Sequence, residues 1–429
     1  MTEREAILKY DGDELVLPVV AGTEGDLGLD ISALRSGAGM VTLDYGFANS
    51  ASTRSAVSYV NGEAGELRYR GYTIEDLAEH SSFLEVAYLL FHGELPSAAA
   101  LDKYRQDITE HTLLNEEMKR LFDAFPKSAH PMAILSSATN AMATFYPDFH
   151  NPRDPYAVEQ SALRLVAKLP TVAAFAYKKS IGQPYMYPRN DLEYTANFLN
   201  MMFSLPVEPY EVDPVIARAL DVLLILHADH GQNCSTSAVR LVGSSQANLF
   251  TSVASGMSAL WGPLHGGANQ RVVEMLHQIN EDGRDFRKYL DKAKDADDPF
   301  RLWGFGHRVY KNYDPRARIL KSFADDVVER VGSDDPLLDI ARRLEEAALA
   351  DDYFVERLLY PNVDFYSGIM FRALGFPLRM FTVLFAIGRL PGWIAQWKEM
   401  NEDPDTRIGR PRQIYVGETT RGYVPADER

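Results

Sequence analysis

Apolar and polar positions change rhythm near residue 73 of the 429-residue chain. Before that point the pattern predicts strands. Leu15-Val16-Leu17-Pro18-Val19-Val20 is a short apolar run, and Ser55 to Val60 and Leu67 to Tyr69 flank a turn opened by Asn61-Gly62, as in a hairpin. From Ile74 the spacing is helical. Leu84, Ala87, Tyr88 and Phe91 share a face before Gly93 and Pro96 end the helix. Further helices are predicted over Ala98–Phe125, Pro131–Phe145, Tyr156–Ser180, Asp191–Phe203, Asp213–Ala228 and Ala247–Leu260. Breaks such as Tyr146-Pro147, Asn151-Pro152 and Gly182-Gln183-Pro184 separate them. The longest apolar stretch, Leu374 to Trp397, contains Arg379 and Arg389 and is expected to be a buried helix, not a membrane span. Residues 266–371 are richer in charge, with Asp291 to Asp298 as a solvated run, and are expected to form a smaller helical domain inserted into a larger one. Arg410 to Val416 is expected to be an extended arm. The fold class is mainly α, in two helical domains: 1–70 a small β-rich N-terminal region, 71–265 with 372–429 the large domain, 266–371 the small one. No repeat or low-complexity linker interrupts the chain.

Composition narrows the function. With 44 Lys and Arg against 60 Asp and Glu the formal charge is −16, which argues against nucleic acid and against an anionic membrane as partners. An anionic substrate would then need a local basic site. A single cysteine, Cys234, excludes an internal disulfide and fits a reducing compartment, here the cytoplasm. The opening Met1-Thr2-Glu3-Arg4-Glu5 is not expected to start a signal peptide.

Gly304-Phe305-Gly306-His307-Arg308-Val309-Tyr310-Lys311-Asn312-Tyr313-Asp314-Pro315-Arg316 supplies such a basic site. Its glycines allow close backbone approach to a ligand, His307 can donate near neutral pH, and the Arg316 fork matches a carboxylate. A polar loop that merely caps a helix is the alternative. His265 lies just before a predicted helix with the apolar stripe Ala268, Val272, Met275, Leu276 and Ile279. A helix dipole there favours a neutral imidazole able to donate to an oxygen gaining charge; the alternative is a histidine with no role. Asp364 sits among Val363, Phe365 and Tyr366, where desolvation would make its carboxylate a better base. It could equally be the N-cap of the following helix. His227 and His230, three apart beside Asp229, raise a metal-dependent hydrolase as a remote alternative. Gly37-Ala38-Gly39 lies in no strand–helix crossover, and no Gly-x-Ser-x-Gly elbow occurs. Cys234 is expected to be a packed thiol.

Trp261-Gly262-Pro263-Leu264-His265-Gly266-Gly267-Ala268-Asn269, the Gly304–Arg316 stretch, and Tyr360-Pro361-Asn362-Val363-Asp364-Phe365-Tyr366-Ser367-Gly368 together resemble citrate synthase, in particular its long bacterial (type II) form. The resemblance runs from about Leu43 to Val416. It implies a citrate-synthase-like helical fold and an acyltransferase that condenses acetyl-CoA with oxaloacetate and hydrolyses citryl-CoA. It implies Asp364 as base, His265 as enolate donor and His307 as the group polarising the ketoacid. His230, Arg316, Arg389 and Arg410 would clamp carboxylates, with Arg410 acting in a neighbouring chain of a homodimer or a larger assembly such as a hexamer. Lys311, and more weakly Arg357, would meet CoA phosphates. No metal or redox cofactor is required, since CoA is a substrate. Gly231 follows His230 where many relatives have Glu. The nearer rival is 2-methylcitrate synthase acting on propionyl-CoA, because one methylene alters discrimination by only ~1–3 kcal/mol. A non-catalytic helical scaffold would leave three separated motifs unexplained.

Overall fold

Residues 4–331 and 336–429 are described here, from a computed structural model. The expectations that fall on Met1-Thr2-Glu3 and on 332–335 lie outside the described residues. Two units separate: Met1–Arg54 with Gly409–Arg429, and Ser55–Ile408.

The first unit holds an antiparallel sheet of β1 (Arg4–Tyr10), β2 (Asp13–Ala21) and β3 (Leu27–Leu29), with β2 central. Tyr10 pairs with Asp13 across Asp11-Gly12, both at positive φ (53° and 91°). A two-residue turn with that backbone matches the twist of the strands. A short helix, α1 (Leu34–Ala38), follows, and the tail from Gly409 to Pro425 carries no helix or strand.

The second unit opens on β4 (Ser58–Asn61), β5 (Glu66–Tyr69) and β6 (Tyr72–Thr73), antiparallel with Ser58 opposite Tyr69. The rest is helical. The first group is α2 (Ile74–His80), α3 (Phe83–His92), α4 (Ala98–Glu110), α5 (Met118–Ala124), α6 (Pro131–Met142) and α7 (Pro155–Ile181). Then come α8 (Tyr194–Phe203), α9 (Pro214–His227), α10 (Cys234–Gly243), α11 (Leu249–Leu260), α12 (Ala268–Glu281) and α13 (Phe286–Lys294). The chain ends with α14 (Pro315–Val331), α15 (Pro336–Leu349), α16 (Asp352–Glu356), α17 (Val363–Ala373) and α18 (Phe381–Glu402). Asp154 and Asp213 start α7 and α9 by accepting a first-turn N–H, each with proline at the next position, where a missing donor costs nothing.

Ala98–Phe125, expected as one helix, is two. Lys168 reaches from α7 and its Nζ donates to the carbonyls of His111 (2.6 Å) and Leu113 (2.5 Å), while Thr171 takes that of Thr112 (2.9 Å). Those carbonyls are held away from an intrahelical ladder by a distant element. Cys234, expected to be packed, is exposed at the first position of α10.

α18 is the core of this unit. It is long and apolar enough to cross a membrane, but 89% of its apolar window is buried inside the fold. Gly388 and Gly392 let it lie against the end of α9. A Cβ at Gly392 would stand 2.1 Å from the Ala228 carbonyl, and one at Gly388 2.9 Å from His227 Cβ. Pro391 withholds a donor from α18, and the next N–H, of Gly392, donates sideways to Ala228 O (3.1 Å). Gly392→Ala should therefore destabilise the protein by about 1–3 kcal/mol through backbone shift, read as a fall in thermal midpoint. Gly422→Ala, with nothing within 4 Å of the new methyl, is the control that should stay neutral.

Candidate active site

Three backbone links bring the motif segments together. Gly306 N–H donates to Tyr360 O (2.8 Å), Asn362 N–H to Gly304 O (2.9 Å), and Phe305 and Pro361 form an isolated bridge. Asn362 Nδ2 adds a bond to Gly306 O (2.8 Å). Gly304 has φ +84°, and a Cβ there would meet Phe365 at 2.9 Å, so this approach requires glycine. The loop is also seated on the β4–β5 turn through Lys311 N–H to Gly62 O (2.8 Å).

The chemistry of Asp364 is decided by its neighbour. Asn362 caps α17, its side chain accepting the Asp364 N–H at 3.0 Å. The competing reading of Asp364 as the cap therefore fails. Its carboxylate makes no hydrogen bond or ion pair among the described residues and is partly exposed. Burial raises its pKa to about 6 against the pull of Arg316 and Arg389.

Both candidate donors are neutral imidazoles with one nitrogen already occupied. In His307, Nδ1 accepts the N–H groups of Val309 (3.0 Å) and Tyr310 (3.2 Å). A nitrogen that accepts carries no proton, so Nε2 holds the donor hydrogen. In His265, Nε2 lies 2.8 Å from Ser235 Oγ and accepts the Ser235 N–H at 3.3 Å, leaving Nδ1–H. Ser235 is the second residue of α10, so the dipole end that His265 faces belongs to α10. The expectation had placed it on the helix that follows His265, which begins at Ala268. Burial, then Arg389 for His265 and Arg316 for His307, lowers both rings to about 4.

Two arginines are almost wholly buried. Arg316 (3% exposed) gives Nε and Nη2 to Asp314 at 3.1 and 2.8 Å, and lies 5.8 Å from the Tyr310 ring centre. The fork expected to grip a substrate is thus half engaged by the protein, with Nη1 left over among the described residues. Arg389 (2% exposed) donates Nε to His227 O at 2.6 Å and sits over Phe385 at 5.0 Å. His230 packs edge-on to His307 (5.3 Å between centres) with Nε2 3.2 Å from the Tyr310 hydroxyl. Burial, then Arg316 and His307, keeps His230 well below the usual imidazole range.

His230, His307 and Arg316 are thus gathered round Tyr310, and Arg389 and His265 both pack on Phe385 (His265 at 6.4 Å). Lys311 and Arg357 are exposed, with Arg357 stacked on Tyr353 at 4.0 Å. Arg410 is exposed in the other unit. The proposed metal ligands do not converge. His227 turns Nδ1 to Leu223 O (2.6 Å) of its own helix, Asp229 accepts from Ser58 Oγ (2.5 Å), and among the described residues no three His, Cys, Asp or Glu side chains are grouped for one ion. Gly231 has φ +59°, a conformation in which the Glu of many relatives would be strained, and its N–H closes onto Ser58 and Asp229. Sequence reasoning missed Tyr310, Asp314, Ser235 and Asn362. Only Asn362, two residues ahead of Asp364 at a helix start, carried a local signal.

Comparison with known proteins agrees with this assembly. A family model described as citrate synthase, C-terminal domain, matches residues 46–412. Citrate synthase 1 of Mycobacterium tuberculosis is 58% identical over 428 residues, covering 100% of this chain and 99% of that protein. The citrate synthase of Corynebacterium glutamicum is 53% identical over 426 residues, covering 99% and 97%. Among solved structures, the enzyme from Pyrobaculum aerophilum superposes with a TM-score of 0.84 at 36% identity, covering 96% of this chain and 97% of that one. The Thermoplasma acidophilum citrate synthase, crystallised as a ternary complex with carboxymethyl coenzyme A and oxaloacetate, gives 0.81 at 29%, covering 90% and 100%.

The state of Asp364 has a measurable cost. Between pH 3.8 and about 6 the native carboxyl keeps a proton that the unfolded chain has released, so its contribution to stability declines as pH rises through that window. Asp364→Asn should therefore raise the thermal midpoint at pH 7.5, with the gain vanishing by pH 4. An equal or lower midpoint at pH 7.5 would contradict this account of the site.

Proposed function

The chain belongs to the citrate synthase family, and from that premise we propose how its residues divide the condensation of acetyl-CoA with oxaloacetate. A thioester methyl is a weak carbon acid, so a base must act together with a donor to the forming enolate oxygen. Asp364 takes the proton. Its unengaged carboxylate and pKa of about 6 suit a base working near neutrality. The Nδ1–H of His265 stabilises the enolate, and a neutral donor avoids transferring its proton prematurely. The Nε2–H of His307 polarises the ketoacid carbonyl. His230, Arg316 and Arg389 hold the ketoacid carboxylates. Asp364 and His307 then assist hydrolysis of the citryl thioester, and Lys311, with Arg357 second, meets the CoA phosphates. The reading rests above all on one observation: each of the two histidines spends one nitrogen as acceptor of a backbone N–H and so has the other as a donor. It needs no metal or redox cofactor, and it describes a cytoplasmic enzyme of the long form whose small domain spans 266–371.

Arg410 completes the clamp from a second copy in this reading. It is exposed in an arm without helix or strand, and an arm of that kind can be exchanged across a two-fold axis. The assembly is a homodimer or a set of dimers such as a hexamer.

The first test is thiol release from acetyl-CoA. We expect it to depend on oxaloacetate, to proceed without added metal, to be faster per mole than with propionyl-CoA, and to be nearly abolished in Asp364→Ala with ketoacid binding retained. Absence of release with either thioester would end the reading. The second test mixes Asp364→Ala with Arg410→Ala. If the arm acts in trans, one site of each mixed dimer keeps both groups and activity returns. No recovery, with subunit exchange verified by mass spectrometry, would refute the shared site.

A further inference from the structure

Glu345 lies on α15 and is fully buried. Its Oε1 accepts the Tyr313 hydroxyl at 2.5 Å, and its Oε2 accepts both the Tyr366 hydroxyl and the Lys321 ammonium, the latter at 2.8 Å. The two tyrosines come from different motif segments. Tyr313 immediately precedes Asp314, the residue that holds Arg316. Tyr366 follows Asp364 by two residues on α17, so it points about 200° round the helix from it, and its hydroxyl reaches Glu345 on α15. We propose that Glu345 is a positioning residue for the condensation: through the two tyrosine hydroxyls it ties the loop that leads into Arg316 and the first turn of α17 to one fixed point. This inference rests on the roles proposed above for Asp364 and Arg316.

The chemistry favours restraint over simple packing. A carboxylate at zero exposure is costly, and an apolar side chain of similar volume would fill the same space as well or better. Charge-assisted bonds are short and directional, so they fix the rotation of α17 and the height of the loop in a way that dispersion contacts do not. Burial and the Glu345 carboxylate raise both tyrosines far above their usual range, so both remain donors. Lys321 is half exposed and supplies the compensating charge from the solvent side.

The experiment deletes one hydroxyl at a time and reads kcat and KM separately. Tyr366→Phe should lower kcat about 10-fold, since small misplacement of a reacting group is costly, with the KM for oxaloacetate changed less than about two-fold. Tyr313→Phe should act mainly on the KM for oxaloacetate, raising it about 10-fold by the same misplacement cost. Glu345→Gln, which keeps the volume and removes the charge, should show both effects. If it does not fold, the two tyrosine variants decide alone. A purely structural contact would lower the thermal midpoint of Tyr366→Phe and leave kcat and both KM values at wild type, and that result overturns the proposal. Wild-type protein and Asp364→Asn run alongside. An inactive wild type would defeat the site reading itself, whereas an active wild type, a dead Asp364→Asn and an unchanged Tyr366→Phe would defeat the positioning role alone.

Discussion

One buried carboxylate holds the site together. Asp314 is 1% exposed and accepts four bonds. Oδ1 takes the backbone N–H and Nε of Arg316, and Oδ2 takes Nη2 of Arg316 and the N–H of Val363. Two of these fix the guanidinium against the carboxylate, and a third holds the Arg316 backbone. The fourth fixes the first residue of α17, whose next residue is Asp364. The ketoacid clamp and the base are thereby referenced to the same two oxygens. The arrangement is stable because it is complete. Removing one member of a buried pair exposes the other to an uncompensated desolvation cost of about 3–5 kcal/mol, which exceeds anything a surface ion pair contributes.

From that fixed pair the electrostatics of the cleft follow. The chain carries a net charge of −16, yet two arginines sit inside it at 2–3% exposure. Burial is the larger cause for the imidazoles of His227, His265 and His307 and for Asp364. It lowers His265 and His307 to about 4 and His227 to about 3, and the arginines push in the same direction. At Asp364 the two causes oppose each other. Burial alone would carry the carboxyl higher, and Arg316 and Arg389 bring it back to about 6. Burial thus keeps the donors neutral with the arginines assisting, while at Asp364 the same arginines oppose burial and leave the base ionised at pH 7.

Much of this was legible from local signals. The three motif segments, the helical rhythm from Ile74 and the turn at Asn61-Gly62 are properties of neighbours in sequence, and the fold bears them out. What escaped depends on residues far apart. The break after α4 is caused by Lys168, 57 residues beyond the His111 carbonyl it binds. The nitrogen of His265 is oriented by Ser235, 30 residues earlier. No window of periodicity contains either pair. Two misses were avoidable. Asp11-Gly12 is a strong hairpin signal, and Asn362 is a helix-capping residue in the position that a cap occupies. Cys234 was misplaced because cysteine's general preference for the interior says nothing about which way the first turn of α10 presents it.

The placement of Arg389 shows why the clamp and the core cannot be separated. α18 is a long helix whose apolar window is 89% buried, and an arginine in its middle would ordinarily be an error of patterning. Gly388 and Gly392 flank it, and their missing side chains let the end of α9 come close enough for the His227 carbonyl to meet Nε at 2.6 Å. The buried charge is thus satisfied by a backbone group that only a glycine-lined helix could approach. Asp229 and Asp364 contribute negative potential at the guanidinium. A cation anchored in the core is held more rigidly than one on a loop, because moving it would mean moving the packing of α9 against α18. The histidine donors, by contrast, lie outside helices, His265 in the turn before α12 and His307 in the loop that leads to α14. The site therefore joins a charge fixed by the core to proton-handling groups held by backbone N–H donors, local ones for His307 and those of α10 for His265.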